Sequence, residues 1–124
     1  MEVRMTATPN SESDCVDFVL AVLDELEGCD ASAETVDDAF GLLAAQRRRL
    51  LLSVMRTYGE SLTLPDAAEE VAVRETGCQV PNISAERVHE IYLSLYHDHL
   101  PRLVDAGLLE YDQERDLVVP IGLE

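Results

Sequence analysis

The sequence predicts a mainly α fold closed by a small β-hairpin. Three observations carry this reading. Apolar residues recur at helical spacing through most of the chain, capping residues precede those patterns, and two β-prone runs, "LLEYD" and "DLVVPI", stand near its end. The length of 124 residues fits one domain with an appended helix. Hydrophobic residues make up 47%, with no Trp, two Phe and four Tyr, so the core is expected to be aliphatic.

Residues 1–13 have the composition of a flexible terminus, and no apolar run precedes their acids as a secretory leader would require. From Cys15 to Glu27, Val16, Val19, Leu20, Leu23 and Leu26 form a stripe opposite Asp17, Asp24 and Glu25, with Gly28 as the stop. One short amphipathic helix is not stable alone, so residues 14–35, helix and linker, must dock on the main domain or on a second copy. The main domain is expected over residues 36–124. Thr35 and Asp38 have capping spacing for the next helical region, which reads either as one helix or as two with a break around Gly41 to Ala45. Leu50, Leu51, Val54, Met55 and Tyr58 are its expected buried face, and Gly59 ends it.

"SLTL" reads as a short β segment, after which Thr63 and Asp66 cap a helix with Ala67, Ala68, Val71 and Ala72 on its packing side. Ser84 is the N-cap of the longest pattern, with Ile83 and Val88 placed as a hydrophobic staple. Val88, Ile91, Tyr92, Leu95, His99 and Leu103 share one face of it. Pro101 lacks an N–H for the His97 carbonyl, which predicts a bend. Gly107 fits the left-handed position after the helix, and the hairpin follows over 108–120.

Charge is lopsided: 25 acids stand against nine bases, and every base is Arg. Residues 1–40 hold 11 of the acids and one Arg; the other eight Arg lie beyond. A Lys-free chain of net charge −16 is expected in a halophilic cytoplasm, where carboxylates keep the surface hydrated. The alternative is an acidic protein with basic partners. At about 1 M salt the screening length is only about 3 Å, so local geometry rather than net charge governs contact with nucleic acid. No segment approaches the roughly 20 apolar residues of a membrane span. Cys15, Cys29 and Cys78 have no C-x-x-C spacing and read as small buried hydrophobes.

The stretch "SLYHDHLPRLVDAGLLEYD" raises the question of a metal site. His97 and His99 point about 200° apart on a helix, and neither has a usual zinc ligand one turn away. No metal site is expected. His99 lies on the apolar stripe and reads as a buried, hydrogen-bonded histidine. There is no glycine-rich phosphate loop, H-E-x-x-H or nucleophile elbow, so neither catalytic residues nor a cofactor are expected.

"RRRLLLSVM", "VHEIYLSLYHDHLPRL" and "AGLLEYD" resemble an uncharacterised haloarchaeal family of short winged helix-turn-helix proteins. "HLPRLVDAGLLEYD" is distantly similar to the recognition-helix end and wing of arsenic-repressor-like transcriptional regulators. The resemblance implies a three-helix core, a recognition helix from Ser84 to Ala106 in the DNA major groove and the 108–120 hairpin as wing. It implies that Ser94, Tyr96 and His97 face DNA, and that His99, Leu100 and Gly107 are structural. Two features depart from that group: a longer connection, "TGCQVPNIS", and no Cys-rich sensing motif.

A DNA-binding regulator is therefore expected, homodimeric through the N-terminal stripe. Arg47, Arg48 and Arg49 at a helix start are the expected phosphate contacts; Arg87, Arg102 and Arg115 could add to them. Glu90 and Asp98 beside His97 argue the other way, toward a winged helix that binds another protein. A continuous Arg surface favours DNA; an acidic helix face favours the protein partner.

Overall fold

The computed structural model describes residues 11–123. Its elements in chain order are α1 (Ser11–Glu27), α2 (Ala33–Leu43), α3 (Gln46–Tyr58), β1 (Leu62–Thr63), α4 (Leu64–Thr76), α5 (Ala85–Ser94), α6 (Leu100–Asp105), β2 (Leu109–Asp112) and β3 (Leu117–Pro120). A short 3₁₀ turn, Val80–Asn82, precedes α5, and a π turn, Leu95–His99, joins α5 to α6. The fold is thus mainly helical with one small antiparallel sheet of order β1-β3-β2. The chain divides into two compact units, the first ending at Val36 and the second beginning at Asp37.

In the first unit, α1 is amphipathic as expected, and Val16, Phe18, Val19, Leu20 and Leu23 are all exposed. The cap of α2 corrects the expected one. Ser32 Oγ accepts from the Thr35 N–H at 3.1 Å, so the helix starts a turn before Thr35 could cap it. The expected flexible terminus falls, for residues 1–10, outside the described residues; α1 already begins at Ser11.

In the second unit, burial follows the predicted stripes. Leu51, Val54 and Met55 of α3 meet Leu64, Ala67, Ala68, Val71 and Ala72 of α4. Ile91, Leu95, Leu100 and Leu103 from the α5–α6 segment, with Leu109 and Val118 of the hairpin, complete this core. Tyr58 departs from the expectation: it is 43% exposed, one turn beyond the last buried residue of α3. Gly59 ends α3 in the left-handed conformation at φ 65°, and Gly107 follows α6 at φ 80°. Thr63 and Ser84 cap α4 and α5 through their hydroxyls, as their spacing predicts.

Next to Pro101, where a bend is expected, the helix carries the π turn. Buried Ile91, Leu95, His99 and Leu103 repeat every four residues, whereas an α-helix turns every 3.6. Over three repeats the excess is about one residue, and a π turn absorbs one extra residue. The wide turn lets both His99 and Leu100 face inward and ends immediately before the helical turn that holds Pro101.

The hairpin pairs Leu109 with Pro120 and Asp112 with Leu117, leaving a four-residue loop. Asp112 Oδ1 accepts from the backbone N–H groups of Glu114 and Arg115, folding that loop as an Asx turn. β1 adds a third strand through Leu62↔Val118 and Thr63↔Leu117, ties the start of α4 to the hairpin and covers one edge of β3. Among the described residues no helix is long and apolar enough to cross a membrane.

Candidate functional site

The outward side of α5 and the hairpin beside it form the surface on which the expected DNA-facing residues lie. Glu86, His89, Glu90, Leu93 and His97 are exposed along it, while Ile91 and Leu95 hold the opposite side in the core. Ser94 and Tyr96 are half-buried. Tyr96 turns toward the hairpin: its ring is parallel to Tyr92 at 6.4 Å and edge-on to Tyr111 at 6.0 Å. Its hydroxyl accepts from Gln113 Nε2 at 3.3 Å. His89 extends the parallel row, 6.4 Å from Tyr92, and His97 meets Tyr96 edge-on at 4.9 Å. One edge of the helix therefore carries an aromatic ladder shared with the sheet.

Asp116 anchors that ladder, and the sequence reading missed it. Its carboxylate accepts from the Tyr92 hydroxyl at 2.9 Å and from the Tyr111 hydroxyl, while its carbonyl accepts the Leu64 N–H at 2.8 Å. It sits at φ 51°, a conformation Asp tolerates better than most residues. Burial and the nearby carboxylate raise the Tyr111 phenol well above its ordinary value; the Asp116 hydrogen bond raises Tyr92. The only sequence signal was an Asp closing a four-residue hairpin loop.

The three consecutive arginines have separate destinations, because neighbours on a helix point about 100° apart. Arg47 makes a two-pronged ion pair with Glu75, at 2.8 and 3.2 Å, and reaches Glu90 at 3.7 Å. Arg48 is buried, 9% exposed. Its Nε and Nη2 donate to the Leu42 and Gly41 carbonyls at 2.6 and 3.1 Å. Arg49 donates to the Leu43 carbonyl at 2.7 Å. Arg48 and Arg49 together satisfy the C-terminal end of α2, where carbonyls lack helical partners and positive charge is favoured.

Glu75 is the second residue the sequence reading missed. It holds Arg47 and also receives Arg87 at 3.4 Å, so two of the expected phosphate ligands share one carboxylate. The Arg47 hydrogen bond holds that carboxyl below its usual value, and Glu75 in turn raises Arg47. The sequence contained no signal for this pair, which spans 28 residues. Arg102 pairs with Asp98 at 3.1 Å and Arg115 with Asp112 at 3.7 Å, both exposed.

His99 is buried as expected, whereas the cysteines correct their expectation: Cys15, Cys29 and Cys78 are all exposed. None falls on a face that packs into the core. Among the described residues no three His, Cys, Asp or Glu side chains gather where they could hold a metal ion.

The framework is a helical core with a small three-stranded antiparallel sheet flanking an exposed helix. The model of the domain of unknown function DUF7344 matches residues 40–119, the greater part of the chain, and the chain belongs to that family. No curated protein and no solved structure matches it.

Proposed function

We propose that this chain is a winged helix-turn-helix transcriptional regulator of a halophilic archaeon that binds double-stranded DNA in the cytoplasm as a homodimer. One observation carries the reading: α4, the turn after it and α5 are followed by an antiparallel hairpin that lies against the same long helix. A helix-turn-helix uses its second helix in the major groove; here that helix is the segment from Ser84 to Ala106, with the hairpin as wing. His89 and His97 are among its exposed hydrogen-bonding side chains, and Arg87 and Arg115 stand at its start and at the wing loop. Lys-free composition with net charge −16 supports the salt-rich setting.

A specific observation favours a second reading, in which the same face binds a protein. Arg47, Arg87, Arg102 and Arg115 each pair with a carboxylate, and Glu86 and Glu90 are exposed on α5. Phosphate contacts would have to displace those partners.

Fluorescence anisotropy with duplex from upstream of the gene, across a KCl series, separates the two. Saturable binding weakened by Arg87→Gln with His97→Ala supports the DNA regulator. No binding at any salt concentration by a folded protein leaves the protein-binding reading.

A further inference from the structure

On another face of the second unit, α2, α3 and the chain around the hairpin enclose an open groove of about 710 Å³. Leu42, Leu43, Leu52, Leu108 and Leu123 line its apolar part. Arg49, Ser53, Arg56 and Thr57, at successive helical positions on α3, line its polar side. Arg74 of α4 reaches this row, donating to Ser53 Oγ at 2.8 Å and to Thr57 at 3.4 Å.

Here the charge pattern reverses that of the rest of the molecule. Arg49, Arg56 and Arg74 make no ion pair among the described residues, whereas the arginines around α5 and the hairpin loop are matched with acids. A basic row beside a leucine-lined groove, in a chain of net charge −16, fits an amphipathic helix that carries carboxylates beside its apolar stripe. The chain contains such a helix. Over its 17 residues α1 presents Val16, Val19, Leu20 and Leu23 on one side and Asp14, Asp17, Asp24 and Glu25 on the other. It has no base from Cys15 to Glu27, and its apolar residues are exposed.

We infer that this groove receives α1 of a second copy of the chain, so that the homodimer forms by reciprocal exchange of acidic helices. The leucine stripe fills the apolar part, and carboxylates along its margin pair with Arg49 and Arg56. This deepens the homodimer proposed above but is independent of whether the α5 face binds DNA.

The test uses sedimentation velocity on the full-length chain in 0.2 M and molar KCl. Two variants are compared: a helix variant, Leu20→Glu with Leu23→Glu, and a groove variant, Arg49→Glu with Arg56→Glu. All four positions are exposed, and far-ultraviolet circular dichroism checks that each variant folds. Wild type should be a dimer, and each variant should dissociate at least about tenfold more readily, since a buried leucine contributes that much or more. If the groove variant fails to fold, Arg56→Gln alone replaces it and should weaken the dimer at 0.2 M KCl more than at molar KCl.

Mixing the two variants is the decisive measurement. The groove variant keeps an intact helix and the helix variant an intact groove, so the mixture should recover dimer that neither forms alone. A monomeric wild type, dimers unaffected by either variant, or a mixture that stays monomeric would each overturn the inference. Duplex binding by the same samples is scored separately, so failure of the dimer is not confused with failure of the DNA reading.

Discussion

Arg48 and His99 face one another inside the molecule, Nη1 standing 3.4 Å from Nδ1, with 9% and 8% of each residue exposed. A guanidinium has donors only, so the contact requires Nδ1 to be an unprotonated acceptor and His99 to be neutral. Burial lowers the imidazole below its ordinary value, and Arg48 pushes the same way while Asp98 opposes them. The pair thus joins the end of α2 to the π turn through a charge that leaves no unpartnered buried side-chain atom among the described residues.

The first prediction concerns pH. Below about pH 6.5 the unfolded chain protonates this histidine while the folded chain resists it. The stability that depends on neutral His99 is complete above that pH and falls as the pH drops toward the depressed folded value. His99→Gln should therefore cost more at pH 7.5 than at pH 5 in urea denaturation. A cost that is constant, or that grows in acid, would show that His99 is charged in the fold.

Arg48 and Arg49 should separate sharply although they are adjacent. Arg48→Met removes a buried guanidinium that donates to two carbonyls at the end of α2 and should cost about 2–4 kcal/mol. Arg49→Gln alters an exposed contact and should cost less than about 1 kcal/mol. Equal urea midpoints for the two variants would contradict the assignment of Arg48 to the interior.

Glu75 should restrain duplex binding while supporting the fold. Glu75→Gln breaks the nearly buried pair with Arg47 and should cost about 1–3 kcal/mol. It also releases Arg47 and Arg87, so the DNA reading predicts tighter duplex binding by the folded variant, measured by anisotropy at fixed salt. Unchanged or weaker binding would count against those arginines as phosphate ligands. Because Arg47 lowers the Glu75 carboxyl, this stabilisation is present above about pH 4.5 and disappears as pH falls through the lower folded value.

Asp116 should control both the wing and the tyrosines. Asp116→Ala loses two phenol hydrogen bonds and places an unfavourable side chain at positive φ, at a cost of about 2–3 kcal/mol. In wild type, Tyr92 and Tyr111 should ionise at higher pH than free tyrosine, followed by tyrosinate absorbance. Raised phenol values mean that stability declines as pH climbs past about 10. In the variant Tyr92 should ionise earlier, because its shift comes first from the Asp116 hydrogen bond, while burial keeps part of the Tyr111 shift. An unchanged titration would mean that Asp116 is not a source of it.

What the sequence by itself determined were features written within a few residues of one another. Ser84, Thr63, Gly59 and Gly107 mark helix ends because a cap or a left-handed turn depends on local backbone geometry. The stripe through Ile91, Leu95, His99 and Leu103 was legible because its period was visible, although the wide turn implied by its four-residue step was missed. Hairpin limits followed from β-prone runs around a polar loop.

Only the tertiary structure decided where the charges went. Nothing local distinguishes Arg47, Arg48 and Arg49, yet one meets Glu75 far along the chain, one enters the interior and one caps the end of α2. Cys78 was likewise placed on the surface by the loop that carries it. Helical periodicity is set by torsions of neighbouring residues, whereas the partner of a long charged side chain depends on which surfaces apolar burial has already brought together.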